Sequence, residues 1–308
     1  MTRKLVFVHG RAQENKDAVA LKAEWIDAWK RGLVRSGIAN PTIPDTDVRF
    51  PYYGDTLAQM AGGVSAEDAP EVIVRGIASD RQQARFAQAI LREMLAQRGV
   101  TDEQLVEVVD PVVLERGIAN QEWFQGILRA VDRFLPGASG TSIALVTFDV
   151  FQYLRNAAVR ETIDRGVTAA IKSDEETVVV SHSLGTVVAY NILRAQGHDL
   201  RWNVPLFVTL GSPLAVTEIQ RTLSALGTIR CPLPVSSWFN AMDERDVVSL
   251  YPLSTRRFPL DPATPSIENK TDVQNHTDNR HGIEGYLDDP IVARRIYDAV
   301  FPEQRDGA

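Results

Sequence analysis

The run Val178–Tyr190, VVVSHSLGTVVAY, restricts the fold more than any other part of the chain. Three consecutive valines without polar alternation predict a strand covered on both faces, as in parallel sheets flanked by helices. The segment LGTVVAYNILRAQG that follows predicts a helix stopped at Gly197. Only Ser181, His182 and Ser183 separate the valines from that helix, so the chain must turn sharply there between small neighbours.

Other segments repeat the strand pattern. KLVFVHG (4–10), VPLFVTLGSP (204–213) and PVSSWFNAMDERDVVS (234–249) each join an apolar run to a turn, and DVRFPYYGD (47–55) is a further candidate strand. Helical spacing appears between them: Leu21, Trp25 and Trp29 lie four apart, as do Val159, Ile163, Val167 and Ile171. A helix is expected from about Val216 to Leu226, and Asp289 before Pro290 predicts an N-cap and first turn for the closing helix. Alternating strands and helices give an α/β fold with a mostly parallel sheet.

The rhythm changes between Thr56 and Gly140. Phe86, Ile90 and Met94 form one apolar row, Thr101 and Gln104 fit a capping box, and Trp123, Phe124, Ile127, Leu128 and Val131 mark a third helix. Three helices without a convincing strand suggest an insertion. The expected organisation is therefore a core of residues 1–55 and 141–308 with a helical cap or lid at 56–140. The phrases SGIAN, RGIAS and RGIAN, beginning at 36, 75 and 116, resemble one another, but their flanks do not match.

Composition excludes several function classes. A net charge of −7 and the lack of a Lys/Arg tract argue against a nucleic-acid groove. The single cysteine, Cys231, precludes an intrachain disulfide and a cysteine-based zinc site, and no HExxH pattern is present. The apolar patch in MTRKLVFVHG is short for a secretory signal, and no run approaches the ~18 apolar residues of a membrane span. A cytoplasmic protein without stable membrane insertion is expected.

Ser183 then becomes a candidate nucleophile. A serine hydroxyl attacks a carbonyl only with a neighbouring base, and a strand–turn–helix lifts it out of the sheet while aiming helix amides at a developing oxyanion. SHSLG resembles the G-x-S-x-G nucleophile elbow of the α/β-hydrolase superfamily, with Ser181 in place of the first glycine and Gly185 at the second. That resemblance implies the order serine, acid, histidine. Asp243, Glu244 and Asp246 supply acids; Asp246 is preferred because DVV after a strand resembles the acid turn of lipase-like hydrolases, and Asp243 is its main rival. His276 and His281 alone lie between this loop and the last helix. RHGIEGYL resembles the histidine loop of these enzymes, which favours His281 as base.

The same resemblance implies two oxyanion donors. One is the amide of Leu184; for the other, FVHGR resembles the histidine-glycine segment of esterases, and the amide of Arg11 is favoured over that of Gly10. His9 is expected to orient or pack, His182 to point away from Ser183 into the cleft wall, and His198 to be exposed. VTLGSPLA (208–215) resembles the turn of members that process lipid or glycolipid esters.

Such members usually need no metal or organic cofactor. The expected activity is hydrolysis of carboxylic esters, with small-molecule or lipid-like substrates, through an acyl-enzyme on Ser183. A thioesterase or amidase with the same triad is the nearest alternative, and a noncatalytic acyl-ligand or protein-binding module on the same scaffold is another. Oligomeric state is not readable from the sequence.

Overall fold

The computed structural model describes residues 3–10, 17–39, 42–54, 80–108, 121–135 and 139–302. Its centre is a six-stranded parallel sheet formed by β1 (Lys4–Val8), β2 (Val48–Arg49), β3 (Thr177–His182), β4 (Phe207–Leu210), β5 (Trp238–Ala241) and β6 (Ile267–Lys270), in the order β2-β1-β3-β4-β5-β6. The chain leaves β1 toward one side to make β2, then returns to place β3 on the other. Loops after β1 and β3 therefore diverge, and this switch point at the carboxyl ends of the strands is where open α/β sheets form binding crevices.

Side-chain alternation sends the sheet into two apolar layers. Leu5, Phe7, Val178, Val180 and Val208 pack against α1 (Ala18–Arg35) and the closing helices α9 (Glu284–Leu287) and α10 (Pro290–Val300). Val6, Val8, Val179 and Phe207 face the other layer. That layer holds α2 (Arg81–Gln97), α4 (Gln121–Phe134), α5 (Gly140–Arg155), α6 (Ala157–Thr168), α7 (Leu184–Gln196) and α8 (Thr217–Leu226). The short helix α3 (Asp102–Val106) adds Leu105 to it.

Local chemistry explains the helix ends. Asp289 accepts from the amides of Ile291 and Val292, Pro290 occupies the first turn of α10, and Thr101 with Gln104 forms a complete capping box on α3. Elements absent from the sequence reading include α5, β6 and the single-turn helix α9, which falls within the expected histidine loop. Helix α5 is apolar around most of its circumference and is buried nearly throughout, so no polar face reveals its period. Edge strand β6, with the sequence IENK, is mostly half-exposed and carries no apolar alternation. Arg11, Asp55 and the segments 75–79 and 116–120 of the pentapeptide comparison lie outside the described residues. Among the described residues no helix is long and apolar enough to cross a membrane.

Candidate active site

Strand β3 ends on His182 and helix α7 begins on Leu184, leaving Ser183 as the whole turn. Its φ of 54° and ψ of −128° lie in a region that L-residues avoid. Surrounding bonds hold this conformation. The Ser183 amide donates to the Leu210 carbonyl at 3.1 Å, and its carbonyl accepts from the Thr186 amide at 2.9 Å and the Thr186 hydroxyl at 2.7 Å. Thr186 Oγ1 is also 2.8 Å from Ser212 Oγ, which ties the elbow to the turn after β4.

The small residues read from the sequence meet real crowding. A Cβ on Gly185 would stand 2.3 Å from the Val8 carbonyl oxygen, and one on Gly10 would stand 2.7 Å from Ser183 Cβ. Ser181, where the elbow pattern has glycine, is fully buried and donates to the Val208 carbonyl at 2.8 Å. The extra side chain is thus accommodated by a hydrogen bond across to β4 instead of lying against the turn.

Three side chains distant in sequence converge at this point. Ser183 Oγ lies 2.8 Å from His281 Nε2, and His281 Nδ1 lies 2.7 Å from Asp246 Oδ2. Because the carboxylate can only accept, Nδ1 carries the imidazole proton and Nε2 is left to accept from the serine. Asp246 is fully buried. Burial opposes its charge, yet His281 and the hydrogen bonds from His281, Tyr286 and the Val248 amide outweigh it and hold the carboxyl below its ordinary range. Ser183 itself is only 2% exposed.

Asp243, the rival acid, is engaged elsewhere. It receives two bonds from the Arg245 guanidinium, at 2.9 and 2.6 Å, and one from the Asn275 amide at 2.8 Å. Asn275 in turn donates through Nδ2 to the Gly282 carbonyl and accepts from the Thr277 amide through Oδ1, so Asp243 joins the acid loop to the histidine loop. His276 meets Asp288 at 2.8 Å, away from the serine, and His198 is exposed.

The remaining histidines are structural neighbours of the reacting groups. His182 Nε2 donates to the carbonyl oxygen of His281 at 2.8 Å, so its ring supports the base from behind. Burial, with the neighbouring His281 second, lowers His182 to about 3, and it stays neutral. His9 Nδ1 donates to the Gly10 carbonyl at 2.7 Å, its Nε2 accepts from the Tyr53 amide at 3.0 Å, and its ring stacks on Tyr53 at 3.9 Å. Burial lowers His9 to about 4, so this loop too is fixed by a neutral imidazole.

Several residues at the site were not legible beforehand. Tyr286 donates to Asp246 Oδ2 at 2.6 Å, and Arg98 at the end of α2 donates to the Asp246 carbonyl at 3.2 Å. Gly211, with φ of +55°, lets the turn after β4 pass the triad: an added Cβ would stand 3.2 Å from both Asp246 Oδ2 and His281 Cε1. The glycine of the GSP turn and the tyrosine after His281 were visible in the motifs, but neither contact was.

Comparison of the chain with protein-family models, curated proteins and solved structures finds no match. The assignment therefore stands on geometry: a parallel α/β sheet presents Ser183, His281 and Asp246 in the arrangement of an α/β-hydrolase serine enzyme.

Proposed function

We propose that this protein hydrolyses carboxylic esters, with lipid-like acyl esters as the preferred class, through an acyl-enzyme on Ser183. The observation that carries the reading is the unbroken relay from Ser183 Oγ through His281 to buried Asp246 at 2.8 and 2.7 Å. As Ser183 Oγ attacks the carbonyl carbon, its proton passes to His281 Nε2, and Asp246 stabilises the resulting imidazolium. His281 then donates that proton to the departing alkoxide, and repeats the cycle with water to release the acid.

Charge on the tetrahedral oxygen needs donors already in place. Leu184 opens α7, and the first amides of a helix have no partner within it, which supports its amide as one donor. The second donor is assigned to the Gly10–Arg11 segment. The close approach of Gly10 to Ser183 and the lock of its carbonyl by His9 support this placement.

Residues 56–140 are read as a cap beside the site. Arg98 reaches the acid loop, and Glu93 accepts from the Thr217 amide at 3.0 Å and hydroxyl at 2.8 Å, fastening α2 over the start of α8. Phe86, Ile90, Phe124 and Ile127 of α2 and α4 are buried in the same apolar layer as Val6, Val8 and Val179, which anchors the described part of this segment on the sheet.

The test treats wild type and S183A with a fluorophosphonate, locates the adduct by peptide mass spectrometry, and compares rates on esters, thioesters and amides of one acyl group. Labelling confined to Ser183 with fastest turnover of esters supports the proposal. Faster turnover of thioesters or amides would move the assignment to those hydrolases, and ligand binding without turnover in a labelled protein would favour a binding module.

A further inference from the structure

Asp246 distributes its hydrogen bonds unevenly. Oδ1 accepts from the Val248 amide at 2.8 Å, whereas Oδ2 accepts from two side chains, His281 Nδ1 at 2.7 Å and the Tyr286 hydroxyl at 2.6 Å. Both donors come from one short stretch, five residues apart, so the histidine loop delivers base and phenol to a single carboxylate oxygen. Tyr286 is fully buried, and its own oxygen accepts from the Asp243 amide at 3.3 Å and lies 3.5 Å from Ser249 Oγ.

The surroundings leave the phenol little freedom. Its ring passes the Gly211 turn so closely that a Cβ there would come within 3.0 Å of Cε2. Gly285, immediately before it, lies against Asn275, where a Cβ would stand 2.3 Å from Oδ1. Other charged or titratable groups near the relay are His182 from β3, the Asp243–Arg245 pair in the acid loop and Arg98 from α2. Among the side chains of the described residues, only His281 and Tyr286 donate to the Asp246 carboxylate.

We infer that Tyr286 is a positioning residue for the relay: by donating to the oxygen that also receives the His281 Nδ1 proton, it holds that oxygen in line with the imidazole and limits the carboxylate's pull on it. This rests on the serine-hydrolase reading. Burial, and then the charge of Asp246, push the phenol well above its ordinary value, so it remains a proton donor throughout the working pH range. A Phe at this position would keep the ring and its packing while removing the hydroxyl, which is the donor to Asp246 and also the acceptor of the Asp243 amide.

The test is Y286F, with active serines counted by fluorophosphonate titration and folding checked by circular dichroism. Per active serine, kcat falls roughly 10-fold, the lower end of what a lost hydrogen bond to a charged group produces, while KM stays within about twofold. The acid limb of kcat/KM moves to higher pH because the carboxylate draws more strongly on the imidazolium. The low-field proton NMR signal of His281 Nδ1–H moves downfield for the same reason, a readout independent of turnover.

A merely structural role would reduce the number of titratable serines and leave both the acid limb and the proton signal in place. That result overturns the inference, as does Y286F with wild-type kcat. Folded wild type that neither labels at Ser183 nor turns over any acyl substrate would overturn the hydrolase reading, and this inference with it; active wild type alongside an unchanged Y286F overturns the inference alone.

Discussion

Replacing Gly185 by Ala adds one methyl group where the structure has no room for it. The new Cβ would lie 2.3 Å from the Val8 carbonyl oxygen, 2.5 Å from that of His9 and 2.8 Å from the Val8 carbonyl carbon. These are backbone atoms at the end of β1, which cannot swing aside as a flexible side chain can. Restoring ordinary contact requires β1 and α7 to separate by about 1 Å, and overpacking of this kind costs about 1–3 kcal/mol. The same displacement moves the Gly10 segment relative to Ser183, and a 1 Å misplacement can reduce turnover about 100-fold.

Gly166→Ala is the matched control. Gly166 lies within α6, and a Cβ there meets nothing within 4 Å, so the identical chemical change should stabilise the protein by roughly 0.5–1 kcal/mol. The assay is urea unfolding of both variants together with ester turnover per titrated serine. G185A is expected to lose stability and activity together, and G166A to gain stability with unchanged activity. Wild-type behaviour of G185A in both measurements would refute the close approach of β1 to the elbow.

Three further predictions follow from the same structure. D246N lowers kcat by roughly 10³–10⁴ because an amide neither enforces the Nδ1–H tautomer nor supplies the charge that stabilises the imidazolium, while D243N retains most turnover per folded molecule and instead loses about 1–3 kcal/mol of stability, measured by denaturant; the reverse pattern would transfer the acid role to Asp243. The folded-state values of His9 and His182, about 4 and about 3, lie below those of the unfolded chain, so acidification from 6.5 protonates the unfolded state and stability falls. Asp164, raised to about 6 chiefly by burial, takes up a proton in the folded state and opposes this loss. Stability should therefore fall from pH 6 to 4.5, and fall more steeply in D164N than in wild type; equal slopes by urea unfolding would refute the assignment. Burial pushes the Cys231 thiol up to about 11, so a thiol reagent at pH 8 should leave the native protein unmodified for as long as Ser183 takes to label completely; rapid modification, followed by absorbance, would contradict that burial.

The sequence by itself determined the α/β class, the turn at Ser183 and the caps at Thr101 and Asp289, whereas the order of serine, acid and histidine was only what the resemblance of SHSLG to a nucleophile elbow implied. The class, the turn and the caps are each encoded within a few neighbouring residues: valine runs covered on both faces, glycines where a Cβ cannot fit, a Pro after an Asp. Helix α5 escaped because a helix buried on nearly all sides has no polar stripe, and β6 because a short edge strand needs no apolar alternation. The tertiary structure alone decided between Asp246 and Asp243, which stand three residues apart in one loop. Both are buried carboxylates, and only the position of His281 and Tyr286 against one, and of Arg245 and Asn275 against the other, separates their roles. The same holds for His182 behind His281, Arg98 on the acid loop and Gly211 beside the triad. These contacts join segments that the fold brings together at the carboxyl edge of the sheet, and a hydrogen bond between distant residues leaves no periodicity in the chain from which to read it.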